Sequence, residues 1–117
     1  MQTLALYNVK GGVGKTAAAV NMACLAAASG LHTLLFDLDA QGAASWYLEA
    51  EETAAKARKL IDGSTPVGRL VQPTAFERLS LIPADFSFRS LDVLMKQADR
   101  PRQVLSRLLK PFSEQYQ

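Results

Sequence analysis

Residues 10–16 read Lys-Gly-Gly-Val-Gly-Lys-Thr, and no other stretch restricts the fold of this chain as tightly. Three bare backbone positions, Gly11, Gly12 and Gly14, lie directly before Lys15 and Thr16. Glycine admits backbone conformations and close approaches that a side chain forbids. A run of apolar residues, Thr3 to Val9, precedes the loop, and an alanine-rich stretch without Gly or Pro, Lys15 to Ser29, follows it. The first has the pattern of a buried parallel strand and the second that of a helix, with Gly30 at its C-terminal stop. Strand, glycine turn and helix in this order are the local form of a phosphate-binding loop.

The chemistry needs these residue types at this spacing. A polyphosphate crowds negative oxygens together, so backbone N–H groups must converge on it. The positive end of the following helix adds to their field. Gly11, Gly12, Val13, Gly14, Lys15, Thr16 and Ala17 form the expected cradle. Lys15 is placed for the β- and γ-phosphates, and the Thr16 hydroxyl for Mg²⁺. The expected ligands are therefore ATP, or a related nucleoside triphosphate, and magnesium. The usual pattern has Gly where this chain has Val9, and a second lysine, Lys10, opens the loop. A plain cradle does not need that lysine, which suggests a charge acting elsewhere, such as across a dimer interface.

A second apolar strand is expected over His32 to Leu38, running into Asp37-Leu38-Asp39-Ala40-Gln41-Gly42. With Thr3–Val9 and the helix it would make a βαβ unit with a right-handed crossover. Ligands of open parallel sheets sit at the carboxyl ends of the strands. Asp37 and Asp39 would share a face if the strand continued through them. The pair would then hold hydrated magnesium and orient a water toward the γ-phosphate. The alternative is that one of them caps the loop or the next helix.

The rest of the chain reads as scaffold. Ala43 to Leu48 suits a short helix, and Glu49 to Ile61 has helical composition with a solvated charged face. Residues 62–64 form a turn, Pro66 suits the first position of a helix, and Leu79 to Pro83 suits a third strand. Ser87 is placed to cap a helix running to Gln97, with Leu91, Leu94 and Met95 facing the core. Pro101 opens a last helix with Val104, Leu105, Leu108, Leu109 and Phe112 at helical spacing. Arg100, Arg102, Arg107 and Lys110 read as a solvated face rather than a DNA patch. The formal net charge of +2 argues for neither a nucleic-acid nor a membrane partner.

The single cysteine, Cys24, permits no disulfide within the chain and too few thiols for an iron–sulfur cluster, which fits a reducing, cytoplasmic setting. No signal peptide is visible, and the alanine-rich run to Ser29 is too short to span a bilayer. At 117 residues, the expectation is one domain over 1–117.

On the loop at 10–16 and the Asp-Leu-Asp-Ala-Gln-Gly segment at 37–42, the chain resembles the ParA/MinD family of deviant Walker A ATPases. Ala40 stands where ParA partition proteins usually have Pro, and the Gln-Gly end favours the ParA branch over MinD. The stretch from Leu79 to Leu94 also looks like the family's third strand and following helix. The resemblance implies a P-loop NTPase-like three-layer αβα fold with a mostly parallel sheet. It implies that Lys10 reaches the nucleotide of the partner subunit in an ATP-sandwich homodimer and that Lys15 serves in cis. Thr16 and Asp37 would serve magnesium, and Asp39 would position the hydrolytic water. Ala17 replaces the Thr or Ser of many relatives, at the cost of one hydrogen bond to the α-phosphate.

Family members are much longer and carry a Walker B strand ending in an aspartate beside the phosphate-loop strand. On this resemblance the chain looks like the N-terminal portion of such an ATPase, expected to stop before Walker B and to leave an open strand edge. A ParB-like partner and non-specific DNA are expected for the family through its other half. Three functions follow. The first is a ParA-type ATPase of plasmid or chromosome partition. The second is a non-hydrolysing binding or assembly module using the open edge. The third is a cobyrinate- or dethiobiotin-synthase-like enzyme on the same loop.

Overall fold

The computed structural model describes residues 1–53 and 56–117. Its longest element is helix α1, Lys15–Ala28, which begins at the expected lysine. The helix stops where Gly30 allows it to. The Gly30 N–H donates to the Ala27 carbonyl at 2.9 Å and the Leu31 N–H to the Ala26 carbonyl at 3.2 Å. These crossed bonds satisfy the last carbonyls of the helix. Strand β1 follows at Thr33–Phe36, inside the expected span, and the short helix α2 covers Ala43–Tyr47.

Among the described residues the sheet has three strands, in the order β1-β3-β2. Strand β3, Leu79–Ile82, lies in the middle and runs parallel to β1, with Thr33 opposite Leu79 and Phe36 opposite Ile82. The two-residue strand β2, Gln72–Pro73, pairs antiparallel with the other edge of β3 and was not anticipated. Side chains alternate across a strand, and here the alternation divides two cores. Leu79 and Leu81 pack with Ala23 and Ala27 of α1 and with Leu48. Ile82 faces the opposite way, into a larger core built on Leu60, Phe88, Leu91, Val104, Leu108 and Phe112. Helices thus cover both faces of a small mixed sheet, which is the expected three-layer αβα arrangement.

The larger core comes from helix α3, Ala57–Ile61, helix α4, Leu91–Gln97, and helix α5, Val104–Leu109. The expected stripes divide by depth. Leu91, Val104, Leu108 and Phe112 are buried, Leu94 and Met95 pack against them partly buried, and Leu105 stays exposed. Among the described residues no helix is long and apolar enough to cross a membrane.

Several expectations are corrected. The first strand is not formed: residues 1–8 carry no strand, and Leu4, Tyr7 and Val9 are exposed. A strand exists only against a partner that takes its backbone hydrogen bonds. This segment is tied to the fold at Gln2, whose N–H donates to the carbonyl of Gln117. The βαβ unit as read is therefore absent, and the parallel neighbour of β1 is β3.

The helix expected over Glu49 to Ile61 is confined to Ala57–Ile61, with residues 54–55 lying outside the described residues. Glu49 takes a left-handed φ of 54°. The Gln72 side-chain amide then binds both backbone groups of Glu51, at 2.9 and 3.0 Å, in place of helical partners. Pro66 sits just outside a 3₁₀ turn, Val67–Leu70, rather than at its first position. Ser87 is not the cap expected there. Asp85 caps the 3₁₀ turn Phe86–Ser90 by accepting from the Ser87 N–H at 2.8 Å. The Ser87 hydroxyl oxygen instead accepts from the Ala57 N–H at 2.8 Å, tying α3 to this turn.

Candidate functional site

The loop at 10–16 joins the exposed N-terminal segment to α1. Gly12 and Gly14 have φ of 71° and 86°, backbone that any other residue would adopt under strain. Gly11 has no such requirement. Among the described residues, a Cβ on Gly11, Gly12 or Gly14 would meet no atom within 4 Å apart from its own chain neighbours, so these positions are open. No side chain caps the N-terminus of α1, and its first turn holds no acidic residue. The first N–H groups of a helix have no partner within it, and together with the helix dipole they attract an anion.

The carboxyl ends of β1 and β3 lie on the same side of the sheet because the two strands are parallel. From the first of these ends, Asp39 reaches the helix terminus. Its Oδ2 lies 3.1 Å from Lys15 Nζ, both side chains being about one-third exposed. The Gln41 N–H donates to Asp39 Oδ1 at 3.0 Å. That backbone bond first, and the Lys15 ammonium second, hold the Asp39 carboxyl below its ordinary range. Two expected site residues, 24 positions apart, are thus brought together as an ion pair.

Asp37 is placed differently. Strand β1 ends at Phe36, so the condition for Asp37 and Asp39 to share a strand face is not met. Asp37 is buried, at 6% exposure. Its Oδ1 accepts from the Asp39 N–H at 3.2 Å. Its Oδ2 accepts twice from Ser45, from the N–H at 2.9 Å and from the hydroxyl at 2.7 Å. Asp37 therefore caps the first turn of α2 from a distance, the alternative that the sequence leaves open for one of the pair. Ser45 was missed in the sequence, where nothing marks a serine eight residues beyond an aspartate as its partner. Its hydroxyl oxygen also accepts from the Ala84 N–H at 2.9 Å, joining the ends of β1 and β3.

Thr16 is half-buried beside Lys15, and Ala17 and Val13 are exposed. Lys10 is exposed, and its N–H donates to Asn8 Oδ1 at 2.9 Å. The side chain of Lys10 forms no ion pair among the described residues. Thr16 and Asp37 offer oxygen donors only, the set that suits magnesium with its phosphates and waters. The basic residues near the C-terminus are exposed, as expected of a solvated face, and Arg107 also donates to the Ile61 carbonyl at 2.7 Å. A groove of about 820 Å³ runs between Thr3, Arg100 and Lys110, away from the loop. A phosphate cradle is a ring of backbone N–H groups and not a deep cavity, so the loop, not this groove, has the chemistry of a site.

A family model described as an AAA domain matches residues 1–117. The chromosome partitioning protein ParA of Caulobacter vibrioides is 34% identical over 102 residues, covering 86% of this chain and 38% of that protein. Among solved structures, the ATP complex of a Cyanothece McdA variant superposes with a TM-score of 0.82 at 26% identity, over 94% of this chain and 43% of McdA. Cobyrinic acid a,c-diamide synthase from Mycobacterium smegmatis, with bound ATP analogue and magnesium, gives a TM-score of 0.83 at 22% identity. That match covers 94% of this chain and 46% of the synthase. The chain spans less than half the length of these proteins.

Proposed function

The chain belongs to the AAA-domain family of ParA/MinD-type ATPases, and from that premise we propose that it binds Mg²⁺–ATP as the nucleotide-binding part of a ParA-type partition ATPase. The observation that carries this reading is the Lys15–Asp39 pair at 3.1 Å. It sets an ammonium and an ionised carboxylate side by side at an uncapped helix N-terminus, below an open glycine loop. Gly11, Gly12, Val13, Gly14 and Ala17 present backbone to the phosphates, and Lys15 turns from Asp39 to the β- and γ-oxygens. Thr16 and Asp37 would hold the hydrated metal. Magnesium, when bound, neutralises charge on the phosphate oxygens. Asp39, released from Lys15, orients the water that attacks the γ-phosphate.

The same reading gives Lys10 its role. Exposed and outside the cradle, it is free to reach the nucleotide of a second copy in a homodimer. A cytoplasmic setting, plasmid or chromosome cargo, a ParB-like partner and DNA binding belong to the whole protein that such a chain would serve. The synthase alternative has the same fold, but the 34% identity to ParA favours partition. The assembly-module alternative is supported by the exposed segment containing Leu4, Tyr7 and Val9, which joins no strand among the described residues.

Titration of the chain with ATP in Mg²⁺, with Lys15→Ala as control, tests the proposal. Saturable binding that the variant loses is expected. Binding that is equal in both, or absent from the wild-type chain, would refute it.

A further inference from the structure

Asp37 is the one buried carboxylate among the described residues, and each of its bonds has a named donor. An ionised carboxylate has about four acceptor positions, two on each oxygen. Ser45 fills both positions on Oδ2, through its N–H at 2.9 Å and its hydroxyl at 2.7 Å. The Asp39 N–H takes one position on Oδ1, at 3.2 Å. Among the described residues no donor takes the remaining position on Oδ1.

The direction of the hydroxyl bond is not a matter of choice. A serine hydroxyl has one proton to give. Its oxygen accepts from the Ala84 N–H at 2.9 Å, so the proton goes to Asp37. The chain of bonds runs one way, from Ala84 N–H through Ser45 Oγ to Asp37 Oδ2. Ser45 itself is 8% exposed and locked into α2.

We infer that Ser45 is a positioning residue for the metal: by saturating Oδ2 it holds the Asp37 carboxylate so that the acceptor left for a magnesium-bound water would be on Oδ1. This rests on the reading that the loop binds Mg²⁺–ATP, and extends it to a residue outside both sequence motifs. Groups that orient a metal's carboxylate are worth about 10- to 100-fold in metal affinity when removed. Cap formation alone would not need the hydroxyl, because the Ser45 N–H already meets Asp37.

The test is ATP affinity measured twice, with Mg²⁺ and with EDTA, on the wild-type chain and on Ser45→Ala, Ser45→Cys and Ser45→Thr. Thermal melts of the metal-free proteins accompany the titrations. Ser45→Ala should cut the gain in affinity that Mg²⁺ confers by about 10- to 100-fold while leaving affinity in EDTA unchanged. Ser45→Thr, which keeps the hydroxyl, should retain most of the gain. If Ser45→Ala fails to fold, Ser45→Cys keeps the volume with a much weaker donor and should show the same selective loss. Equal losses in Mg²⁺ and in EDTA, or a full magnesium gain without the hydroxyl, would overturn the role of Ser45 and leave the nucleotide reading standing. A wild-type chain that binds no ATP in either condition would overturn that reading and the role of Ser45 with it.

Discussion

Replacing Asp39 with asparagine should tighten nucleotide binding. Lys15 Nζ lies 3.1 Å from Asp39 Oδ2, and a bound polyphosphate must draw the ammonium away or share it. The two side chains are 34% and 38% exposed, so water screens their attraction. Pairs of this kind are worth about 0.2–1 kcal/mol. In Asp39→Asn the side-chain amide keeps an oxygen for the Gln41 N–H, so the local turn should survive. Releasing Lys15 from competition then corresponds to about a 1.4- to 5-fold gain in ATP affinity. Because the effect is electrostatic and partly exposed, the gain should shrink as salt is raised. A fluorescent ATP analogue titrated at low and high salt measures it. Affinity that falls in Asp39→Asn would refute the reasoning, since Asp39 would then help to hold the ligand rather than compete for Lys15.

Lys15→Ala should lose the charge-assisted bonds to phosphate, about 1.5–3 kcal/mol or about 10- to 150-fold in affinity, with little change in melting temperature because its ion pair is exposed. Leu60→Ala empties a fully buried position in the larger core and should cost about 2–5 kcal/mol in urea denaturation. Asp85 is nearly buried, which pushes its carboxyl up, but bonds from Ser87 and then Lys56 outweigh burial and hold it below the ordinary range. Its folded pKa being depressed, its contribution is complete above the unfolded carboxylate value of about 3.9 and is lost as pH falls through the folded value. Asp85→Asn, which can still cap, should therefore flatten the acid limb of the stability profile, followed by urea midpoints between about pH 5 and about pH 2.

The glycine loop was legible because its determinants are local. Gly12 and Gly14 adopt the left-handed backbone that their residue type makes available, and α1 starts and stops at the residues expected. The buried positions of α4 and α5 were legible for a similar reason: helical periodicity writes the core face into the sequence. The sequence by itself therefore determined the glycine loop and the bounds of α1, the strands around Leu35 and Leu81, and the αβα layering they imply. Only the tertiary structure decided how the carboxylates were used. Asp39 meets a lysine 24 residues away, Asp37 meets a serine eight residues away, and that serine meets Ala84 39 residues away. It also decided that Thr3 to Val9, apolar as it is, forms no strand. A helix closes its hydrogen bonds within four residues, so its sequence carries its own instructions. A strand or a buried carboxylate takes its partners from distant parts of the chain, and those are chosen only when the fold brings them together.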